Sequence, residues 1–419
     1  MKRILLCFVI SLLACPVCAD SLPASLSGGG QEEPKSEKIT FKFGGRIDFF
    51  LLSDTYESKE TCNGAQYFFP LAPLYNDKGE NLNYVNRLRA SVVPSRLNAT
   101  VNVPELLRAR GKGYVEIDFM GLSEATLGMI RLRHAFFSLE WQKTELLFGQ
   151  TSHLAMVDEI APNVVRSGGG NPIHPLSRPI QVQFHGKPSE NITLSVAAAL
   201  FSGETGRAQS YALLPDLHLR FTAGDPADGF FGGVVGGYKL LKPRISTADG
   251  SRAEETTGSF DAAAFARYSF GRGYSLTAYG IRGGNLSPFD MLGGYASLHE
   301  DADRQDYRYA NVGSYSAWLD FETRRFSGWS MGIFGGIQQY TGSSKDISVY
   351  GSNIRYYGIE GFWHISPRVW YTYRKLSFGL EYLLSSAKWA RTFDDRYKAT
   401  DSYSPTYNNR VVLLARFAF

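Results

Sequence analysis

Residues 411–419 read Val-Val-Leu-Leu-Ala-Arg-Phe-Ala-Phe. In an extended strand successive side chains point to opposite faces, so Val411, Leu413, Ala415, Phe417 and Phe419 share one side while Val412, Leu414, Arg416 and Ala418 share the other. An apolar row closing on phenylalanine, backed by a face that carries arginine, fits a wall with hydrocarbon on one side and water on the other. The same two-residue beat recurs upstream. Phe41, Phe43, Gly45, Ile47, Phe49 and Leu51 alternate with Lys42, Gly44, Arg46 and Asp48. Val115, Ile117 and Phe119 alternate with Glu116 and Asp118, and Ile180, Val182 and Phe184 with Gln181, Gln183 and His185. Leu217, Leu219 and Phe221 alternate with Asp216, His218 and Arg220, and Phe378, Leu380 and Tyr382 flank Glu381 in the same way.

Alternating segments fall near residues 40–52, 84–103, 112–121, 129–141, 144–151, 179–187, 191–201, 212–222, 229–241, 259–269, 273–284, 309–322, 328–341, 354–373, 376–388 and 409–419. Short connectors near 104–111, 142–143, 188–190, 223–228, 270–272 and 323–327 alternate with long ones near 53–83, 152–178, 242–258, 285–308 and 389–408. The expected fold is therefore all-β: a transmembrane antiparallel barrel of about sixteen strands, with short periplasmic turns and long outer loops. For 144–151 the phase is open, and Leu146 and Phe148 fit either face. A soluble sandwich or propeller would show similar turns, but its apolar rows would need covering, and no helical segment is available to do so.

Composition agrees. The chain holds 28 Phe, 24 Tyr and 6 Trp, yet after the N-terminus no run approaches the roughly twenty apolar residues of a membrane helix, so any crossing is made by strands. Met1-Lys2-Arg3, the apolar run Ile4–Ala14 and the small-residue exit Val17-Cys18-Ala19 read as a secretory signal peptide, 1–19, cleaved before Asp20. Leu12-Leu13-Ala14-Cys15 also fits a lipoprotein box with a lipidated Cys15, ranked second because a closed barrel needs no lipid anchor. Residues 20–38, rich in Gly, Pro and charge, form a flexible periplasmic leader, and 39–419 the barrel. The formal charge of +4 falls to +2 once Lys2 and Arg3 are removed, which excludes a strong field directed at nucleic acid. Of Cys7, Cys15, Cys18 and Cys62 only the last lies beyond the signal, so no intramolecular disulfide and no cysteine metal cluster is expected.

Chemistry concentrates in arginine: Arg46, Arg87, Arg89, Arg96, Arg131 and Arg133, then Arg166 and Arg178 in or beside a long loop. Arg46, Arg96, Arg131 and Arg133 alternate with lipid-facing residues and so should point into the lumen. A guanidinium stays charged and grips carboxylates in two-pronged fashion, so such a series would attract anions. The same arginines would equally stiffen the wall by pairing with the lumen acids Asp48, Glu116 and Asp118; arginine exceeds acid here, which tips the balance toward anion preference.

The loop 152–178 carries Gly168-Gly169-Gly170, three prolines, His153, His174, Asp158, Glu159 and Arg166, a composition suited to a segment folded inward and equally to an ordinary outer loop. Its triple glycine lacks the following helix and Lys-Ser or Lys-Thr of a phosphate cradle. There is no HExxH, GxSxG or paired-cysteine spacing, and no cofactor or metal is expected. Seven histidines are scattered; by parity His134 belongs to the lipid face, and His153 or His174 with Asp158 is the one base-and-orienter pairing the spacing offers.

Ser95-Arg96-Leu97-Asn98-Ala99, Gly113-Tyr114-Val115-Glu116-Ile117-Asp118-Phe119, Arg131-Leu132-Arg133-His134-Ala135-Phe136-Phe137 and Gly149-Gln150-Thr151 together resemble the DcaP-type outer-membrane porins, most clearly over residues 40–190. The resemblance implies a sixteen-stranded trimeric diffusion channel for small negatively charged solutes such as dicarboxylates, with inward arginines at Arg96, Arg131 and Arg133 and an acid pair at Glu116 and Asp118. Family members carry a periplasmic coiled-coil leader; residues 20–38 are too short and too rich in Gly and Pro for one, so trimer contacts would come from the barrel wall. The terminal strand resembles the assembly signal of outer-membrane barrels, which implies recognition of Phe419 by the barrel assembly machinery. Expected surroundings are membrane lipid and lipopolysaccharide in the bacterial outer membrane. A barrel hydrolase, and an adhesion or structural barrel with a plugged lumen, are the competing classes.

Overall fold

The computed structural model describes residues 38–247, 250–271, 273–298 and 308–419. The signal peptide 1–19 with Cys15, the leader from 20 to 37, and His299 lie outside the described residues.

Sixteen strands close into an antiparallel barrel: β1 (Thr40–Asp54), β2 (Arg96–Leu106), β3 (Ala109–Asp118), β4 (Arg131–Glu140), β5 (Thr144–Gln150), β6 (Ile180–Ser189), β7 (Ile192–Leu200), β8 (Asp216–Gly224), β9 (Phe230–Leu241), β10 (Thr257–Phe270), β11 (Tyr274–Gly283), β12 (Tyr309–Glu322), β13 (Trp329–Ser343), β14 (Ile359–Tyr373), β15 (Leu376–Phe393) and β16 (Thr406–Ala418). Each pairs with the next, and β16 closes on β1 with Ile47 opposite Phe417 and Asp48 opposite Arg416. Closure leaves no unpaired ladder edge in the bilayer, which is why this sequence crosses as a ring. Two segments depart from the sequence expectation. The stretch 84–103 is split, because Pro94 has no N–H and residues 92–95 turn; Arg87–Ser91 then pairs with the upper half of β1 as a continuation of β2. Residues 347–354 leave the wall and pair instead with Gly294–Leu298 in the outer loops.

The expected alternation is realised side chain by side chain. On β1, Ile47 and Phe49 are exposed on the outer face while Asp48, Phe50, Leu52 and Asp54 are buried inside. Leu146 and Phe148 face outward, since they sit opposite Phe184 and Val182, and the Phe137 and Phe148 rings stack at 5.1 Å. Phe260 and Phe270 share the outer face of β10, ten residues apart. At about 3.3 Å per residue and a tilt of about 40°, this spacing gives an apolar belt about 25 Å tall, the height of a hydrocarbon core. Its ends are marked by aromatics: Tyr268, Phe270, Tyr274 and Phe321 form a row with centroids 6.0–6.4 Å apart, and Tyr238 meets Phe260 at 4.7 Å.

Inside, the wall has two characters. β1 to β4 and β16 present charge. β9 to β14 present apolar side chains, including Phe231, Phe265, Tyr279, Trp318 and Phe334, and these are covered from within by Leu154, Val157, Ile160 and Ile173 of the loop 151–179, hereafter L3, by Phe68 and Phe69 of the hairpin 58–70, and by Phe289 and Leu292. Glycine makes the close approach possible. A Cβ at Gly336 would lie 2.6 Å from Ile173 Cγ2, and one at Gly379 would lie 2.8 Å from Val165 Cγ1. Gly336→Leu is therefore expected to push L3 off the wall, so that trypsin cuts the folded barrel after Arg166, a bond protected in the unaltered protein; equal protection in both would show that L3 does not rest there.

Candidate functional site: an arginine eyelet against the inward loop

Three carboxylates on neighbouring strands form the base of the charged wall, and each is shared by two arginines. Asp48 receives Arg46 Nε at 3.0 Å and Arg416 at 2.6 and 3.0 Å. Asp118 takes Arg131 in two-pronged fashion at 3.0 and 2.7 Å and Arg133 Nη1 at 3.1 Å. Glu116 accepts from Arg133 Nε at 2.6 Å, with Arg96 Nη1 at 3.6 Å. Asp48 and Asp118 are fully shielded, whereas the Arg46, Arg96, Arg131 and Arg416 side chains keep 22–27% of their surface exposed. Positive heads thus stand over buried negative charge. Five guanidiniums against three carboxylates leave an excess of two positive charges.

Register puts them there. Arg96 lies opposite both Arg46 and Asp118, and Asp118 lies opposite Arg131. A β-bulge then leaves Arg133 as an extra residue, with Ile117 opposite Leu132 but Glu116 opposite His134. That single insertion corrects one expectation: His134 does not face lipid but turns into the lumen. Its Nδ1 lies 3.1 Å from Thr151 Oγ1, and its Nε2 accepts from Arg178 Nε at 3.2 Å. Because Nε2 accepts, the ring proton sits on Nδ1 and is donated to Thr151. Thr151 and Arg178 are the two ends of L3, so one imidazole pins both. Arg178 makes no salt bridge among the described residues; burial, with Arg133 nearby, lowers its guanidinium to about 9, which leaves it cationic at neutral pH.

L3 crosses the interior from β8 to β15. Tyr279 Oη donates to Ala155 O (2.8 Å), Ser316 Oγ to Ile173 O (2.7 Å) and Trp370 Nε1 to Asn163 O (3.0 Å). Glu381 accepts from the backbone N–H of Val165 (2.6 Å) and Arg166 (2.8 Å) and from the Arg166 guanidinium. Between L3 and the charged wall lies a cavity of about 280 Å3, with Arg96, Arg131, Arg133, His134 and Arg178 on one side and Ser152, Asp158, Gly168 and Gly169 on the other. A second cavity of about 490 Å3, toward the outer loops, is lined by Ser202, Ser287, Asn353 and Arg355 and shares Leu176 and Arg178 with the first. Arg178 therefore stands where the two spaces meet.

The sequence-predicted arginines divide. Arg46, Arg96, Arg131, Arg133 and Arg178 gather in the eyelet. Arg87 and Arg89 instead hold the first long loop at the outer end, Arg87 on Glu57 at 2.7 Å and Arg89 on Asp54 at 2.7 Å and on Glu60. Arg166 is 3% exposed beneath Glu381 and lines neither cavity. Arg416 joins the cluster through a parity visible in the last strand, while His134 depended on the bulge. The expected pairing of His153 or His174 with Asp158 does not form. His153 bonds Asp216 at 3.2 Å, His174 has no carboxylate partner among the described residues, and Asp158 faces the cavity. His153, Asp216 and His218 bring three possible metal donors within 4.8 Å of one another, deep in the wall.

A closed sixteen-stranded barrel with an apolar belt and a loop folded into its lumen is the porin architecture of the bacterial outer membrane, and that is where this protein resides. Among solved structures it is similar to the outer membrane channel DcaP of Acinetobacter baumannii, with a TM-score of 0.64 at 15% identity over 91% of this chain and 97% of that one. The DcaP-type resemblance carried by residues 95–151 thus extends to the structure. The anion-selective porin from Comamonas acidovorans matches with a TM-score of 0.55 at 9% identity over 91% and 100% of the two chains. The trimer form of OmpT from Vibrio cholerae matches with a TM-score of 0.53 at 10% identity over 91% and 100%. No family model and no curated protein matches the sequence.

Proposed function

We propose that this protein is a passive diffusion channel for small hydrophilic solutes with a preference for anions such as dicarboxylates. The observation that carries the reading is the eyelet itself: five guanidiniums over three carboxylates, with the unpaired Arg178 opposite the loop, facing one cavity. Buried acids set the arginine heads without neutralising them, so an entering carboxylate exchanges water for charge-assisted hydrogen bonds at successive positions. Arg178, at the meeting of the two cavities, hands solute from the outer space to Arg131 and Arg133.

In this reading residues 1–19 direct export and are removed, 20–38 form a periplasmic leader, and the barrel is assembled through recognition of Phe419. It works as a homotrimer surrounded by lipid and lipopolysaccharide; the trimer form of OmpT and the anion-selective Comamonas porin, alike in fold, support these expectations.

Swelling of liposomes containing the purified protein tests the transport claim. Succinate is expected to enter faster than a diamine of the same length. Arg178→Gln, which strips no carboxylate of a partner, is expected to lower the succinate rate severalfold and leave a neutral sugar unchanged. Equal rates for dianion and diamine would refute the preference.

A further inference from the structure

The N-terminal end of L3 is fastened by five ionisable side chains that the eyelet does not use. His153 of L3, Asp216 and His218 of β8, Lys239 of β9 and Asp261 of β10 are each 5% exposed or less. Phe289 closes over them, its ring 4.9 Å from that of His153 and 5.1 Å from Lys239 Nζ. Gly237, opposite His218 on β9, leaves room for the imidazole: a Cβ there would lie 2.0 Å from it. The other charged groups facing this region are Arg220 of β8 and Glu159 of L3, paired with each other at 2.9 Å, and Arg267 of β10, at Glu159 O. Ala197 of β7 and Phe201 add no charge, and Tyr279 of β11 is bonded to Ala155 O.

Counting protons fixes the state of each ring. Ala155 N–H donates to His153 Nδ1 at 3.1 Å, so that nitrogen offers a lone pair and the proton sits on Nε2, directed at Asp216 Oδ1. His218 has a carboxylate at both nitrogens: Asp216 at Nδ1, and Asp261 Oδ1 at 2.8 Å from Nε2. A neutral imidazole has one proton, so one of those contacts would set a lone pair against a carboxylate inside an apolar enclosure. Either a second ring proton or a metal ion must therefore lie between His218 Nδ1 and Asp216. A metal fits poorly. His153 Nε2 would have to surrender its proton to become a donor, which would place an Nδ1–H against the Ala155 N–H. Charge also closes without one: Asp216 and Asp261 balance an imidazolium and Lys239, whose Nζ is 3.6 Å from Asp261.

We propose that His218 is held as an imidazolium and acts as a proton latch that fixes the N-terminal end of L3 to the wall, and that losing this proton frees that end and widens the eyelet. Deprotonation leaves the cluster one negative charge in excess and opposes two lone pairs at Asp216. The bond from Asp216 to His153 is the tie to L3, and it weakens with that change.

Two measurements on the full-length protein decide this. In protein carrying 15N-histidine, at about pH 7.5, one unit above the titration of a free imidazole, one histidine is expected to show both ring nitrogens protonated, and His218→Gln is expected to remove that signal. In planar bilayers, conductance is expected to rise about twofold on going to alkaline pH, because L3 occupies much of the cross-section, while His218→Gln is already high and flat with pH. Absence of a doubly protonated histidine, or conductance that ignores pH in the unaltered protein, overturns the proposal. So does tight uptake of one zinc per chain abolished by His153→Ala, which would make the site metallic. If His218→Gln does not fold, the two readings on the unaltered protein decide alone.

Discussion

Arg131→Gln together with Arg133→Gln is expected to abolish anion preference, bringing the chloride-to-potassium permeability ratio to unity or below. The five guanidiniums of the charged wall fall to three against three carboxylates, so the excess of two positive charges vanishes and only Arg178 still favours anions. Asp118, fully buried, loses both ionic partners at once. A buried carboxylate stripped of its partner costs about 3 kcal/mol, partly offset here because glutamine still donates an N–H. The variant should therefore fold less readily while remaining a barrel, and folding should be checked by its mobility in unheated gels. A permeability ratio unchanged from the parent would mean that these arginines do not set the field in the pore.

Glu381→Ala is expected to produce the largest gain in permeation. One carboxylate, fully buried on β15, holds the middle of L3 through two backbone amides and the guanidinium of Arg166. Without it, Arg166 is left 3% exposed with only Ser366 Oγ at 3.0 Å and the ring of Phe334, at a cost of about 3–5 kcal/mol for an unpaired buried charge. That exceeds what the remaining hydrogen bonds of this stretch return, at about 1 kcal/mol each. L3 should leave the wall near Val165, and liposomes should admit oligosaccharides that the parent excludes. A sieving limit equal to the parent's would show that L3 is not what narrows the pore.

The barrel was legible because water on one face and lipid on the other impose a period of two on every strand, and all sixteen segments carry it. Phase failed where the period breaks: the bulge at Arg133 reverses His134, and nothing in Arg131-Leu132-Arg133-His134 marks it. Sharing of acids was invisible for a different reason, since Asp48 and Arg416 are 368 residues apart and meet only when β16 closes on β1. The sequence analysis set arginine pairing and arginine excess against each other, whereas the wall has both, with three acids each held by two arginines. Arg87, Arg89 and Arg166 were grouped with the eyelet by residue type alone; their partners Glu57, Glu60 and Glu381 lie in loops and strands whose proximity no local pattern encodes. The short helix Gly203–Ala212 fell in a stretch read as loop and strand, and its weak amphipathicity explains why.

The central claim is a net positive eyelet in an open channel. It is tested most directly by the zero-current potential of the unaltered protein in a planar bilayer under a tenfold potassium chloride gradient. A potential of the sign set by chloride, shrinking as succinate is added, is the expected result. A potential of the opposite sign, or no ionic current at all, would contradict the account.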